Sequence, residues 1–257
     1  MEKTYIDKNI RIFRGQEAEK FLNIKNDSVY IKENSILNVD SDRWKEAQFY
    51  ERKTWMETGL NLRDDRNYEH FERFEKYSSL LKLDKKFNSV IELGCGPFTN
   101  LRTILHLLPE VKGINLLDPL ILDYLNHPNC SYKNKKINGI DVITHATPIE
   151  NFVNNQKFDL VIMNNVLEHC FDIEKIFDNI LNMMDKGSIF IFSDVYFESS
   201  DISSLVKILY DSGHPLKITK EYMSEFLKNF ETLYEKDFHG LYNQSWRHDK
   251  YFIGRLK

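Results

Sequence analysis

From Asn88 onward, short runs that are apolar at nearly every position alternate with stretches whose apolar residues recur at three and four. The runs Ser89–Leu93, Gly113–Leu117, Ile140–Thr144, Phe158–Met163 and Ser188–Phe192 predict five strands buried on both faces, as in a parallel sheet covered by helices. Between them, Asn100–Leu108, Ile121–Leu125 and Asp172–Met184 have helical spacing, clearest in Ile173, Ile176, Phe177, Ile180, Leu181 and Met184. The alternation predicts a doubly wound α/β sheet. A helix over Glu221–Phe230 leads into two further strands, Glu231–Glu235 and Lys250–Gly254. No helix fits between those two, so they are expected to pair antiparallel.

The first 87 residues lack this rhythm. They hold two β-like pieces, Ser28–Ile31 and Ser35–Val39, and two helical segments, Arg43–Glu57 and Tyr68–Leu81. The predicted organisation is a mainly helical cap over residues 1–87 on an α/β core over residues 88–257. Trp44, Gln48, Tyr50, Glu51, Arg52 and Trp55 fall in the first cap helix, and Arg63, Asp64, Asp65, Arg66, Tyr68 and His70 follow. Such a surface suits a lid over a polar ligand; a solvated helix with a buried tryptophan stripe is the plainer alternative.

Composition narrows the partners. The net charge of −4 argues against a protein that coats nucleic acid. Cys95, Cys130 and Cys170 are far apart and form no CxxC pair, which points to a reducing compartment and away from a structural zinc site. No run approaches the length of a membrane span and no export signal opens the chain, so a cytoplasmic protein is expected. The eight histidines have no ligand spacing, so no metal site is expected.

The most informative stretch is Val90-Ile91-Glu92-Leu93-Gly94-Cys95-Gly96-Pro97-Phe98-Thr99-Asn100, where the first strand meets the first core helix. Glycines there let the backbone turn tightly and approach a ligand. A pyrophosphate cradle would place a third glycine where Thr99 stands. Pro97 removes an N–H donor, and the acid Glu92 would repel a pyrophosphate, which disfavours a nicotinamide dehydrogenase.

Glu92-Leu93-Gly94-Cys95-Gly96-Pro97 resembles motif I of the class I S-adenosylmethionine-dependent methyltransferases. Leu116-Leu117-Asp118-Pro119 resembles the ribose-binding end of their second strand. Phe158-Asp159-Leu160-Val161 through Val166-Leu167-Glu168-His169 resembles the fourth-strand segment of the ubiquinone-type small-molecule enzymes. The resemblance covers residues 88–195 and implies a Rossmann-like fold with S-adenosylmethionine as cofactor. It assigns Glu92, Gly94, Cys95, Gly96 and Asn164 to the methionine end, Asp118 and Pro119 to the ribose, and Ala146 and Thr147 to the border of the adenine. His145 departs from it, standing where the family often has an Asp.

The cofactor of such an enzyme brings its own leaving group, so the protein's task is alignment, desolvation and, for some acceptors, a base. His169 and His214 are the candidate bases. Gln48, Tyr50, Arg66, Tyr242 and Arg247 are the candidate acceptor contacts. The expected reaction is methylation of a small polar acceptor, with a hydroxyl of a sugar, sugar nucleotide or phosphorylated metabolite favoured, as in modification of a bacterial surface polysaccharide. The alternatives are N-methylation of a small amine and a non-catalytic protein that binds adenosyl ligands. Nothing in the sequence indicates an oligomeric state.

Overall fold

Four short strands precede the first helix, two more than the apolar rhythm predicts. The computed structural model describes residues 4–6, 12–14, 29–32, 35–62, 86–108, 110–198, 213–239 and 248–257. The expected helix over 68–81, and Arg66, Tyr242 and Arg247, lie outside the described residues. Strands β1 (Thr4–Ile6), β2 (Ile12–Arg14), β3 (Val29–Lys32) and β4 (Ser35–Asn38) form an antiparallel sheet in the order β2-β1-β3-β4. At three residues each, β1 and β2 are too short for alternation to register.

Helix α1 (Ser41–Lys53) follows. Asp40 caps it, its carboxylate accepting from the N–H groups of Asp42 and Arg43. A π-helical turn over Thr54–Thr58 extends it to the expected end, and Gly59 closes the turn with an N–H bond to the Thr54 carbonyl.

The core sheet comprises β5 (Val90–Leu93), β6 (Ile114–Leu117), β7 (Lys136–Ile137), β8 (Ile140–His145), β9 (Phe158–Asn164), β10 (Met184–Tyr196), β11 (Phe230–His239) and β12 (His248–Leu256). Their order is β11-β12-β10-β9-β5-β6-β8-β7. β8, β6, β5, β9 and β10 run parallel, and β12 pairs antiparallel with both β10 and β11. This is the α/β Rossmann-like sheet with a C-terminal antiparallel pair. The strand order reverses at β5, which lies between β6 and β9, so a crevice opens at the carboxyl ends of these strands.

Alternate residues of each strand feed opposite faces. Leu160, Ile162, Ile189 and Ile191 pack on one side with α2 (Leu101–Ile104) and α3 (Ile121–Tyr124). Val161, Met163, Phe190 and Phe192 pack on the other with α4 (Ile173–Asn182) and α5 (Lys220–Leu227). Strand β4 belongs to this second core: Ile36 and Leu37 are fully buried in it. Ile36 exchanges backbone bonds with Lys217 at 2.7 and 3.1 Å, and Val39 N–H reaches the Phe171 carbonyl at 3.0 Å. The N-terminal segment is therefore stitched into the core through β4, and α1, which follows directly, is held over the carboxyl ends of the central strands. No helix among the described residues is long and apolar enough to cross a membrane.

Candidate active site

The loops leaving β5, β6, β8 and β9 meet α1 and the Gly213–His214 turn around a cavity of about 450 Å³. Gly94 and Gly96 both have positive φ, +65° and +55°. At Gly94 the reason is packing as well as backbone: a Cβ there would lie 2.4 Å from both Cγ atoms of Val166 in the β9 exit loop. The turn thus lets the β5 and β9 loops close on each other while Cys95 and Gly96 line the cavity.

Glu92 is fully buried and does not line the cavity. Its carboxylate accepts from the Thr99 hydroxyl, the Asn100 N–H at 2.9 Å, the Asn100 side-chain amide at 3.0 Å and the Leu101 N–H at 3.1 Å. It therefore caps α2 from inside the sheet, and Thr99, at the position of the missing third glycine, is one of its donors. Burial raises the Glu92 pKa, and these hydrogen bonds counter the rise.

Asp118 sits at the end of β6, 7% exposed. One oxygen accepts from Gly96 N–H at 3.1 Å and the other from Leu120 N–H at 2.8 Å. Desolvation drives its pKa up to about 7; the two N–H bonds oppose this, and the charges of Glu51 and Glu92 add to it. Ala146 and Thr147 do not line the cavity, whereas Pro148, Ile149 and Glu150 do. Glu150 gives one oxygen to the N–H groups of Phe171 and Asp172, at 2.7 and 3.1 Å. Its other oxygen is buried without a hydrogen-bond partner. His145 stands back from the cavity, with Nε2 bonded to Asn115 Oδ1 at 2.9 Å.

At the β9 exit, Asn165 takes a left-handed conformation (φ 56°), and its N–H bonds the Ser193 carbonyl at 2.7 Å. Asp194 secures the next two residues: Oδ2 accepts from Val166 and Leu167 N–H at 2.9 and 2.7 Å. Burial, with the Glu168 charge beside it, pushes the Asp194 pKa to about 7. That loop delivers Asn164, Glu168 and His169 to the cavity.

His169 and His214 converge from separate loops, with ring centroids 4.5 Å apart. His169 Nδ1 lies 3.1 Å from the Gly213 carbonyl, which can only accept, so Nδ1 carries the proton and Nε2 keeps its lone pair. Burial lowers the His169 pKa and keeps the ring neutral, although Glu51 pulls in the other direction. His214 Nε2 lies 3.7 Å from Glu168 Oε1, and the buried Lys217 Nζ is 4.0 Å from Glu168 Oε2. Glu168, His169 and His214 bring their ligating atoms within 4.8 Å of one another, a grouping that no sequence spacing signals.

Helix α1 supplies the roof. Trp44, Gln48, Glu51 and Trp55 line the cavity from one stripe, and Tyr50 joins them at its edge. Gln48 donates to the His169 carbonyl at 3.2 Å. Arg52 turns outward to Asp123 at 3.1 Å.

Thus the cavity is lined by Gln48, Tyr50, Gly94, Cys95, Gly96, Asp118, Pro119, Asn164, His169 and His214 of the expected set. Glu51, from the cap-helix surface, and Glu168, from the fourth-strand segment, join them, and Glu150 does so without any signal in the sequence. Asn100 Oδ1, Glu150 Oε2 and Asn164 Oδ1 are buried acceptors on the wall without hydrogen-bond partners. An adenosyl amino acid, with its adenine amine, ribose hydroxyls and α-ammonium, carries the donors such a wall lacks, so the residues present fit that cofactor.

Comparison with known proteins agrees. The methyltransferase domain family, Methyltransf_23, matches residues 65–231. Among solved structures, the N-methyltransferase NodS of Bradyrhizobium japonicum WM9, in complex with S-adenosylhomocysteine, is similar at 18% identity. The match covers 80% of this chain and 98% of that one, with a TM-score of 0.53. The 1,6-didemethyltoxoflavin-N1-methyltransferase of Burkholderia thailandensis is similar at 14% identity, over 89% and 98% of the two chains, with a TM-score of 0.56. An S-adenosylmethionine-dependent methyltransferase of Clostridium acetobutylicum gives 16%, 81%, 98% and 0.52 for the same quantities. No curated protein matches the sequence significantly. Family match, strand order and the acceptor-rich cavity at the β5 switch point agree: the chain belongs to the methyltransferase domain family and is a class I S-adenosylmethionine-dependent methyltransferase.

Proposed function

We propose that this enzyme methylates a small amine, with His169 taking the proton that frees the nitrogen lone pair. The observation that carries this reading is the charge of the cavity wall. Glu51, Asp118, Glu150 and Glu168 line it, and no lysine or arginine does so among the described residues. With Asp118 and Glu150 given to the cofactor, a phosphorylated sugar or sugar nucleotide, the acceptor favoured by the sequence, would still meet Glu51 and Glu168 at the acceptor end and no lysine or arginine on the described lining. An amine that is protonated in water is drawn to the same wall. NodS, the toxoflavin enzyme and coclaurine N-methyltransferase, all similar in fold, are named as N-methyltransferases, which fits this preference.

The cofactor, when bound, supplies an electrophilic methyl on a sulfonium. Asp118 holds the ribose hydroxyls, and the Gly94–Gly96 turn carries the backbone against the methionine portion. Glu150 Oε2 offers the acceptor for the adenine amino group, in place of the acid that His145 replaces. α1 excludes water from above. At the far end His169 Nε2 takes a proton from the acceptor ammonium, Glu51 and Glu168 stabilise the imidazolium, and the freed nitrogen lone pair would face the methyl that the cofactor would supply. Transfer would form the C–N bond as the cofactor's C–S bond breaks, leaving a neutral thioether and a methylated ammonium.

A panel of small amines and of sugar phosphates, incubated with the enzyme and methyl-labelled cofactor, tests this. Label is expected in amines. Label in sugar-phosphate hydroxyls with none in amines would overturn the assignment and restore the oxygen acceptor.

A further inference from the structure

Trp44, Gln48 and Glu51 of α1 and Trp55 of the π-helical turn that extends it share the stripe that lines the cavity, and Glu51 is its one charged member. Its carboxylate is held in place. Oε1 accepts from Trp55 Nε1 at 2.6 Å, and Trp55 is itself buried edge-on against Phe98, ring centroids 5.6 Å apart. Oε2 lies 3.8 Å from His169 Nδ1. The negative charge also reaches the other end of the cavity, where it helps to raise Asp118. Glu51 therefore stands near both the ribose acid and the base.

Bond connectivity places the cofactor's sulfur on the same span. The sulfur is joined to the ribose through one carbon, and its methyl has to face the acceptor beside His169. The other carboxylates of that span are engaged elsewhere: Asp118 with the Gly96 and Leu120 N–H groups, Glu168 with Lys217 and His214. We propose that Glu51 is the counter-ion of the sulfonium, a residue of the cap that makes the site prefer the charged methyl donor over its neutral product. When the methylated amine leaves and takes the charge with it, Glu51 loses its partner, and the neutral S-adenosylhomocysteine is held less tightly under α1. The positive charge moves only from sulfur to the acceptor nitrogen beside His169, so Glu51 faces it before and after transfer. Its effect falls on binding and KM far more than on kcat.

The test is calorimetric, with three probes of known charge and no acceptor. S-adenosylmethionine carries the sulfonium, sinefungin carries an ammonium in its place, and S-adenosylhomocysteine carries neither. Glu51→Gln removes the charge and keeps an oxygen to accept from Trp55. It is expected to weaken S-adenosylmethionine and sinefungin about tenfold while leaving S-adenosylhomocysteine within about twofold, as for a unit charge lost at the edge of solvent. An equal loss for all three probes would make Glu51 a packing residue of the lid, and no loss for any would remove it from the sulfur; either result overturns the proposal. Glu57→Gln, an exposed change just beyond α1, is the control and is expected to move none of the three. Should Glu51→Gln fail to fold, the wild type alone decides. It is expected to bind sinefungin more tightly than S-adenosylhomocysteine, by a margin that shrinks as salt is raised, and equal affinities at low salt would overturn the proposal.

Discussion

Affinity for S-adenosylhomocysteine should rise with pH through the acidic range and level off near neutrality, because of Asp118. Its carboxyl is pushed from 3.8 to about 7 by burial, with the Glu51 and Glu92 charges adding to the rise. That is a shift of roughly 3 units, and at 1.36 kcal/mol per unit ionising Asp118 in the ligand-free protein costs about 4 kcal/mol. The group is an acid whose folded pKa is raised, so the folded state binds more protons than the unfolded chain between pH 3.8 and about 7. The stability this contributes is full below pH 3.8 and is lost as pH rises through about 7. Ligand binding runs the other way. Ribose hydroxyls donate to the ionised carboxylate, so the bound state favours the charged form and binding below pH 7 must expel a proton. Linkage then gives a slope approaching one log unit per pH unit, or roughly a 20-fold gain in affinity from about pH 5.5 to about pH 7.5. Titration calorimetry over that range measures it, and the ligand's own groups do not titrate there. Asp194 also changes charge near neutrality, so Asp118→Asn is the necessary comparison: it should bind weakly and with that slope removed. A flat wild-type profile, or the same slope in Asp118→Asn, would refute the reasoning.

Two further outcomes follow from the same loops. Gly94→Ala forces a side chain into a left-handed position with its Cβ 2.4 Å from Val166, which should cost about 1–3 kcal/mol in urea unfolding and weaken S-adenosylhomocysteine in calorimetry at least about tenfold. Glu92→Ala strands the buried Thr99 hydroxyl and the Asn100 N–H and leaves the Leu101 N–H only its bond to Thr99 Oγ1, so unfolding should show a loss of about 3 kcal/mol or more. A near-neutral result would mean that water replaces the carboxylate in the α2 cap.

The central strands were legible because burial on both faces leaves no room for polar alternation. β5, β6, β8 and β9 each start and end within about one residue of their apolar runs. What escaped was either too short or built from mixed signals. β7 is two residues long. β10 begins four residues before its apolar run, through Asp185, Lys186 and the positive-φ Gly187, a segment that reads as a helix end and is realised as a strand with a register shift. The glycine turn and Asp118 were legible as cavity residues because each is placed by a single strand-exit loop. Glu51 was recoverable in principle. It sits seven residues from Trp44 and four from Trp55, on the stripe the tryptophans and Gln48 define, and a lone acid on such a stripe points to a partner.

The adenine end shows why the rest was not. By resemblance, Ala146 and Thr147 follow the strand and border the base, yet the strand's own bonding decides otherwise. His145 is still in the ladder, its carbonyl accepting from Asp118 N–H at 3.1 Å and its ring fixed on Asn115. The chain therefore leaves β8 one residue later than its apolar run suggests, and Ala146 is exposed. Pro148 opens a 3-10 turn whose Ile149 and Glu150 carbonyls are held by the Asn179 side chain of α4 at 2.8 and 3.2 Å. Those bonds, from a residue almost thirty positions away, turn Ile149 and Glu150 onto the cavity. What a loop residue faces is set by where its backbone bonds go, and those partners belong to the tertiary fold. An aligned position cannot supply them, and so the acid that lines this end of the cavity is Glu150 rather than a residue at position 145.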